Sequence, residues 1–384
     1  MQRKNNSQAK LLVVFPGFFL PHVGGSETHT AEFVKRLVIN KEYNVLVAAP
    51  NIPKTKKQET MFGVKVIRYP AFEPVSNFPL PNKLHLGYWA FMSYLFKQKP
   101  DVVMTRTMFF PNAFLGYMYA KIKKVPLIHV EHSGNYPQVK NSIISAISKL
   151  YMHTFGALIV RKATKLVCVS EGGKQFLKKN FTKKPVEVII RGFDYKAIEK
   201  IKPRQITQET KKKIIYFVGR LVDGKGVQDS IRALSQRKSD YVFLIAGDGP
   251  YKHTLQKLAT KLQVNAHFLG KVPNEESIAY MKAADLVVNP SHSEGQPTAV
   301  TEAIFSGANI IATDVGGTKE LLPEWKIHYL LVKRESPKKL AQAIDTLLKQ
   351  KTKPSKESIN KLKKKFDWDI HVKKYKQLLD EVTK

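Results

Sequence analysis

The sequence predicts an α/β protein of two doubly wound halves, each a parallel sheet with helices on both faces. Three observations predict it. Short continuous apolar runs alternate with helical patterns along the chain, as buried parallel strands alternate with their crossover helices. Many of those runs end in a glycine-bearing turn. A polar, charged interval, Lys196–Lys213, breaks the pattern, which then restarts.

Lys10–Phe15 (KLLVVF) reads as the first central strand. Arg3, Lys4 and Lys10 precede an apolar run, but Pro16 and Gly17 interrupt it and no small-x-small cleavage site follows closely, so a buried strand is favoured over a signal peptide. The chain passes through PGFFLPHVGGSE into a helix, THTAEFVKRLVIN, with Ala31, Val34, Leu37 and Val38 on one face. Gly24 and Gly25 lie between strand and helix. Glycines let a ligand approach the backbone, and Ser26 suits a helix cap. A tight turn alone also accounts for the pair. Strands follow at Tyr43–Ala49 and Val64–Tyr69, with a polar Lys-rich loop, Ile52–Thr60, between them. Leu84–Phe96 is strongly apolar and aromatic. Asp101–Thr105 reads as a strand, Pro111–Lys121 as a helix, and Pro126–Val130 as a strand ending in Glu131-His132-Ser133-Gly134. Ser142–Ala163 is a long helix with a broad apolar face, followed by strand Lys165–Ser170, helix Glu171–Lys179 and strand Val186–Ile190.

The interval Lys196–Lys213, with Pro203 inside it, is the expected linker. Beyond it, strand Ile214–Val218 ends in Gly219-Arg220-Leu221, and Lys225-Gly226 precedes helix Val227–Leu234. Strand Tyr241–Ala246 ends in Gly247-Asp248-Gly249-Pro250. A helix, a strand at His267–Leu269 and a helix at Glu275–Ala283 follow. The apolar run Ala284–Pro290 leads into Ser291–Gly307, then strand Ile310–Ala312 and the loop Asp314-Val315-Gly316-Gly317. The tail Lys349–Lys365 is basic and polar, and a last helix opens at Phe366-Asp367-Trp368. The expected domains are 1–200, 201–365 and a terminal helix, 366–384, packing back on the first. In open parallel sheets the ligand crevice lies at the carboxyl ends of the strands, where each of these loops falls.

The chain has 384 residues, enough for two cores, and 43% are hydrophobic. Its net charge of +33 comes from 64 Lys and Arg against 31 Asp and Glu. That balance points to an anionic partner: nucleic acid, an anionic membrane surface or a phosphorylated substrate. A merely solvated Lys-rich surface is the plain alternative. Cys168, the one cysteine, lies in an apolar run, which fits a reducing compartment. No run of 18 uncharged apolar residues exists, so no transmembrane helix is expected.

Within Ser291–Gly307, Gly295 and Pro297 turn the chain into a helix, with Pro297 expected just inside its start. A helix start offers unpaired N–H groups and a positive dipole end, which suit phosphate. Glu294 before that helix and Glu302 on it would instead accept hydrogen bonds from hydroxyls. The stretch therefore suits a ligand carrying both phosphates and sugar hydroxyls. Arg220 and Lys225, in a loop between strand and helix, can neutralise a diphosphate. His132, at a strand end, can donate to a sugar hydroxyl or a leaving group. A lone histidine is also often structural; His22 is a weaker candidate, and His292 suits a cap on the turn before Glu294. Asp367-Trp368-Asp369 has the Asp-x-Asp form of a metal-binding pair but reads as capping of the last helix. No zinc spacing, Walker A loop or GxSxG elbow occurs.

Taken together these pieces resemble family 4 of the retaining glycosyltransferases. They are GGSE (Gly24–Glu27), VGRLVDGKG (Val218–Gly226), GDGP (Gly247–Pro250), SEGQPTAVTEA (Ser293–Ala303) and DVGG (Asp314–Gly317). The resemblance implies the GT-B fold, two Rossmann-like domains facing across a cleft, the first taking the acceptor and the second the donor. It implies that Gly24 and Gly25 approach the donor phosphate or the acceptor. Arg220 and Lys225 would bind the diphosphate and Glu294 the donor sugar's hydroxyls. Glu302 would hold the ribose, the Gly295-Gln296-Pro297-Thr298 backbone would cradle phosphate, and His132 would contact the donor sugar near the reacting centre. The family often has Asn-Gly-Val-Asp where this chain reads Arg191-Gly192-Phe193-Asp194, and Arg191 is an added cation for the cleft. No cofactor and no metal are implied beyond the donor substrate.

The function this implies is retaining transfer from a UDP- or GDP-sugar to a hydroxyl of a lipid-linked or cell-envelope glycan acceptor. The expected setting is cytoplasmic, peripheral on an anionic membrane surface that Leu84–Phe96 and Ser142–Ala163 could meet. The other readings are a sugar-nucleotide epimerase of the same fold and a basic nucleic-acid binder. No helix-turn-helix, zinc-finger or aromatic RNA-binding motif supports the last, so no nucleic-acid partner is expected.

Overall fold

The computed structural model describes residues 9–22, 24–75, 78–137, 142–205, 212–236, 241–321, 328–350, 352 and 354–384. Arg3, Lys4, the 206–211 part of the expected linker and positions 351 and 353 of the basic tail lie outside them. The chain forms two compact units: Met1–Pro137 with Asn141–Gly192 and Asp369–Lys384, and Phe193–Trp368.

The first unit runs β1 Lys10–Phe15, α1 Gly25–Leu37, β2 Tyr43–Pro50, β3 Gln58–Met61, β4 Val64–Tyr69, β5 Ala71–Val75, β6 Phe78–Pro81, α2 Leu86–Lys97, β7 Val102–Arg106, α3 Pro111–Lys123, β8 Leu127–Glu131, α4 Ser142–Tyr151, a π-helical turn Met152–Gly156, α5 Ala157–Lys162, β9 Lys165–Cys168, α6 Glu171–Asn180 and β10 Glu187–Val188. Its sheet order is β10-β9-β8-β7-β1-β2-β4-β3, parallel except for β3. The strands are buried on both faces, so their sequences are continuously apolar rather than alternating: Leu12, Val13, Val14 and Phe15 have no exposed surface. Cys168 is buried at the end of β9.

Two pieces of this unit depart from expectation. The polar loop holds edge strand β3, whose sequence QETM carries no apolar alternation because neither face is buried. Ser26 does not cap α1: Gly24 is the N-cap residue, without a side-chain cap, and the Ser26 carbonyl accepts from the Thr30 hydroxyl at 2.7 Å.

The second unit runs α7 Tyr195–Lys200, β11 Lys213–Val218, a 3-10 turn Asp223–Lys225, α8 Val227–Leu234, β12 Tyr241–Ala246, α9 Lys252–Lys261, β13 Ala266–Gly270, α10 Asn274–Ala283, β14 Leu286–Asn289, α11 Thr298–Phe305, β15 Ile310–Thr313, α12 Thr318–Leu321, β16 Tyr329–Val332, α13 Pro337–Leu348 and α14 Lys356–Lys365. Its all-parallel order is β13-β12-β11-β14-β15-β16.

The division falls at Gly192–Phe193 rather than at 200, and the first part of the expected linker is folded. Phe193 and Tyr195 place their rings 5.6 and 5.5 Å from that of Phe305 on α11. The Arg204 amide donates to the Ala279 carbonyl at 3.0 Å, and its guanidinium meets Glu276 at 2.6 Å. The basic tail is also partly helical, anchored by buried Leu362 on α14.

A last helix, α15 Trp368–Val382, starts beside Asp367, whose carboxylate accepts from the Tyr195 hydroxyl at 3.1 Å. From Asp369 onward it packs on the first unit. Tyr375 lies 4.8 Å from the Phe33 ring of α1. Asp380 accepts from the Tyr43 hydroxyl at 2.6 Å and from Lys10 at 3.2 Å.

Candidate active site

The second unit's strand order reverses between β11 and β14, so the carboxyl ends of these two neighbours form its topological switch point, the place where open α/β sheets bind ligands. Beyond β11 the loop carries Gly219, Arg220 and Lys225; beyond β14 the loop carries Glu294 and leads to α11. The fold brings the two loops together. Lys225 Nζ donates to Glu294 Oε1 at 2.5 Å, with the side chains 27% and 12% exposed. Arg220 is exposed in the same loop, between Gly219, which donates to the Ala246 carbonyl, and Leu221, which donates to that of Asp248.

Two glycines permit this closeness. Gly226 has φ +68°, and a Cβ there would collide with the Pro290 carbonyl. Gly316, at φ +55°, lies against the Glu294 carbonyl, where a Cβ would likewise not fit. Its neighbour Gly317 donates to the Gly295 carbonyl at 2.7 Å. The DVGG loop thus supports the backbone of Glu294 and Gly295 from beneath.

α11 begins at Thr298, so Pro297 is its N-cap residue rather than its first helical one. Pro297 has no side chain that could cap this helix start, and the first turn holds no acid. Its N–H groups and dipole end are therefore available to an anion. Gln296 and Pro297 are buried and Thr298 is partly exposed. Glu302, one turn along, accepts from Asn274 at 2.9 Å. Its carboxyl is partly exposed yet crowded by protein. Burial pushes its pKa up to about 7, against the opposing Asn274 hydrogen bond.

His292 does more than cap a turn. Its Nε2 lies 2.8 Å from Asp229 on α8, and its amide donates to the Gly224 carbonyl at 2.9 Å. The Asp229 hydrogen bond raises the imidazole pKa against burial, aided by the Asp229, Glu335 and Asp223 charges. This histidine ties the Lys225 loop to the Glu294 loop. Asp229 and Asn274 carry no local signal in the sequence; only the folded topology reveals them.

In the first unit, the carboxylate of Glu27 folds back to Gly24, where a Cβ would meet Oε2. An anion at this helix start would meet that acid, so hydroxyls suit Gly24 and Gly25 better than phosphate. His132 follows β8 and is buried. Arg191 Nη2 stands 2.8 Å from its Nδ1, so the cation expected for the cleft is a buried partner of His132. Burial, then Arg191, Arg106, His129 and His371, hold the His132 pKa well below the ordinary range. The adjacent Glu131 is engaged elsewhere, by the Met108 amide at 3.0 Å, the Ser133 amide at 2.8 Å and His129 at 3.3 Å. Among the described residues no group of three or more His, Cys, Asp or Glu side chains is placed to hold a metal ion.

Two doubly wound units, with paired cation and carboxylate loops at a switch point, define the class: a sugar-transferring enzyme of the GT-B fold. The comparisons place the chain within it. The family model for glycosyl transferases group 1 matches residues 199–366, and that for glycosyltransferase family 4 matches residues 23–196. An uncharacterized glycosyltransferase of Methanocaldococcus jannaschii, MJ1069, is 35% identical over 97% of this chain and 98% of its own length. The chain belongs to the group 1, family 4 glycosyltransferases. The GPI3 subunit of a phosphatidylinositol N-acetylglucosaminyltransferase of Saccharomyces cerevisiae is 23% identical over 91% of this chain and 78% of its own. Among solved structures, the sucrose-phosphate synthase of Thermosynechococcus elongatus matches with a TM-score of 0.77 at 18% identity, covering 97% of this chain and 98% of that one. Anabaena HepE in complex with UDP-glucose matches with a TM-score of 0.70 at 18% identity, covering 97% and 99%.

Proposed function

We propose that this glycosyltransferase moves a sugar, with retention, from a UDP- or GDP-sugar to a hydroxyl of a lipid-linked or cell-envelope glycan acceptor at the cytoplasmic membrane surface. The observation that carries the reading is the Lys225–Glu294 pair beside the uncapped start of α11. Transfer breaks the bond between the anomeric carbon and the diphosphate oxygen and forms one to the acceptor oxygen. Negative charge gathers on the leaving phosphate, where Arg220, Lys225 and the first N–H groups of α11 stabilise it. Glu294 accepts from the sugar's hydroxyls and Glu302 from the ribose. The acceptor proton passes to a leaving-phosphate oxygen, so no enzyme nucleophile is used and no metal is invoked. The UDP-glucose complex of a protein with this fold supports the donor class, and the name of the yeast relative supports a lipid acceptor.

The test is a thermal-shift screen against UDP, GDP, ADP and their sugar conjugates, since a bound ligand raises apparent stability. NMR of the product's anomeric configuration follows. Stabilisation by UDP or GDP and an unchanged anomer are expected. No nucleotide response, or an inverted product, overturns the reading. A free epimerised sugar nucleotide formed without acceptor would favour the epimerase.

The surface of the first unit supports the membrane setting. Ser142–Lys162 is a continuous 21-residue helical rod whose most apolar 18-residue stretch has a mean hydropathy of 1.5, enough by length and composition to cross a membrane, and only a third of that stretch is buried. Ile143, Ile147, Leu150, Phe155 and Leu158 are all exposed. The π turn adds one residue to the helix, so the stripe continues across it with a spacing of five from Leu150 to Phe155. Phe78 of the β5–β6 hairpin lies 5.7 Å from Tyr151 of the rod, ring to ring. The hairpin's Phe72 and Val75 are exposed too, as are Leu84, Leu86 and Trp89 at the start of α2. Exposed Lys149, Arg161 and Lys162 lie on the same rod. Such a surface suits an anionic leaflet. Ile147→Asn should weaken co-sedimentation with anionic vesicles while leaving nucleotide binding intact; equal binding to neutral vesicles would sink the electrostatic part.

A further inference from the structure

We infer that Arg191 is a positioning residue that fixes His132 as the neutral tautomer protonated on Nε2. The histidine is thereby a dedicated hydrogen-bond donor to a substrate oxygen, not a base. A guanidinium has N–H donors and no acceptor, so the Arg191 Nη2 contact at 2.8 Å requires a lone pair on His132 Nδ1. In a neutral imidazole the proton is then on Nε2. That nitrogen is buried and has no hydrogen-bond partner among the described residues. A buried donor left unmatched by protein is costly, and a ligand oxygen would match it.

The surroundings keep the ring neutral. Its charged and titratable neighbours are Arg191 on the loop after β10, Arg106 at the end of β7, His129 on β8 and His371 on α15. The His29 ring of α1 lies 6.0 Å away. Arg106 is fully buried, donating to the Thr30 hydroxyl at 2.7 Å. Glu131, the adjacent acid, is spent on His129 and on the Met108 and Ser133 amides. Among the described residues no carboxylate hydrogen-bonds His132 to make it basic. The imidazole accordingly takes no proton from the acceptor, which agrees with a proton passing to the leaving phosphate.

That His132 acts on the reacting substrate rests on the transferase reading; the tautomer does not, so the test separates them. The full chain is labelled with 15N-histidine, and the His132 resonances are identified by their loss in His132→Gln. In the wild-type protein a proton bonded to Nε2 and a bare Nδ1 are expected throughout pH 5.5–8. A proton on Nδ1, or an imidazolium at pH 6, overturns the proposal without any variant at Arg191. In Arg191→Met the His132 pKa should rise toward the ordinary value of about 6.5, since a cation and the fixed donor are both gone. Turnover should fall about 10- to 100-fold, by analogy with the loss when a partner orienting a metal-ligating histidine is removed. Arg191→Lys, which still donates, should restore the tautomer and most of the rate. An unchanged His132 spectrum in folded Arg191→Met refutes the positioning role. A changed spectrum with unchanged turnover upholds the tautomer lock and removes His132 from the reaction.

Discussion

Replacing Lys225 by Met separates the site's chemistry from its stability. The substitution keeps an apolar stem of similar length and removes the charge 2.5 Å from Glu294. The two side chains are 27% and 12% exposed, so the pair lies between a solvated surface bridge and a buried one. Glu294 can still reach water once its partner is gone. The cost in folding stability should therefore be about 1 kcal/mol, the upper end for exposed pairs. Binding and catalysis should suffer more. A hydrogen bond to a charged group is worth about 1.5–3 kcal/mol, so the affinity for UDP or GDP should fall about 10- to 100-fold. Removing one fixed group that stabilises transition-state charge costs about 10²–10³ in rate, or about 2.7–4 kcal/mol. Urea melts give the first quantity, calorimetric titration the second and single-substrate kinetics the third. A kcat/KM within threefold of wild type would refute the diphosphate role. A stability loss above about 3 kcal/mol would show that the pair is structural.

Three further outcomes follow from the site geometry. The raised pKa of Glu302, about 7, means that the unfolded state ionises first as pH rises from about 4.3. Stability is then lost between that value and about 7, by at most about 4 kcal/mol. Glu302→Gln should remove this slope in melts taken from pH 4 to 8, and should flatten any rise of nucleotide affinity through pH 7. Gly316→Ala places a methyl against the Glu294 carbonyl at φ +55°. A loss of at least about 1–2 kcal/mol in thermal melts is expected, with weaker nucleotide binding, whereas a neutral result would mean the loop shifts freely. His292 has a raised pKa in the folded state through Asp229, so its contribution is full below about 6.5 and fades as pH rises through the folded value. Asp229→Asn should therefore destabilise the protein more at pH 6 than at pH 9, and an equal loss at both would exclude a charged His292.

The buried parallel strands were legible because burial on both faces leaves a short, unbroken apolar run. Lys10–Phe15 and Tyr241–Ala246 coincide with β1 and β12. Helix Val227–Leu234 was legible from its apolar face. Edge strand β3 was not, because an edge strand with two open faces has no apolar pattern to show. The β5–β6 hairpin hides behind Pro74, Pro79 and Pro81, residues that argue against a strand anywhere but an edge. Within the site, the loop motifs were readable because each lies in one continuous stretch. Their partners were not: Asn274 stands 28 positions from Glu302, Asp229 63 from His292 and Arg191 59 from His132. Such pairs are chosen by strand order, which no single segment encodes. The same limit explains why Arg191 reads as an added cation for the cleft, with no sign in the sequence that it pairs with His132.

The last helix imposes an order on synthesis. Tyr43 and Lys10, made before the second unit, wait for Asp380, and Phe33 waits for Tyr375. A domain of this size would ordinarily fold as soon as its own sequence emerged. Here a nascent first unit has an uncovered flank for as long as Phe193–Trp368 is being translated. A fragment ending near Gly192 would carry that flank permanently, whereas the second unit is made as one continuous segment. Expression of the second unit alone should therefore succeed more readily than that of the first, unless Asp369–Lys384 is supplied with it.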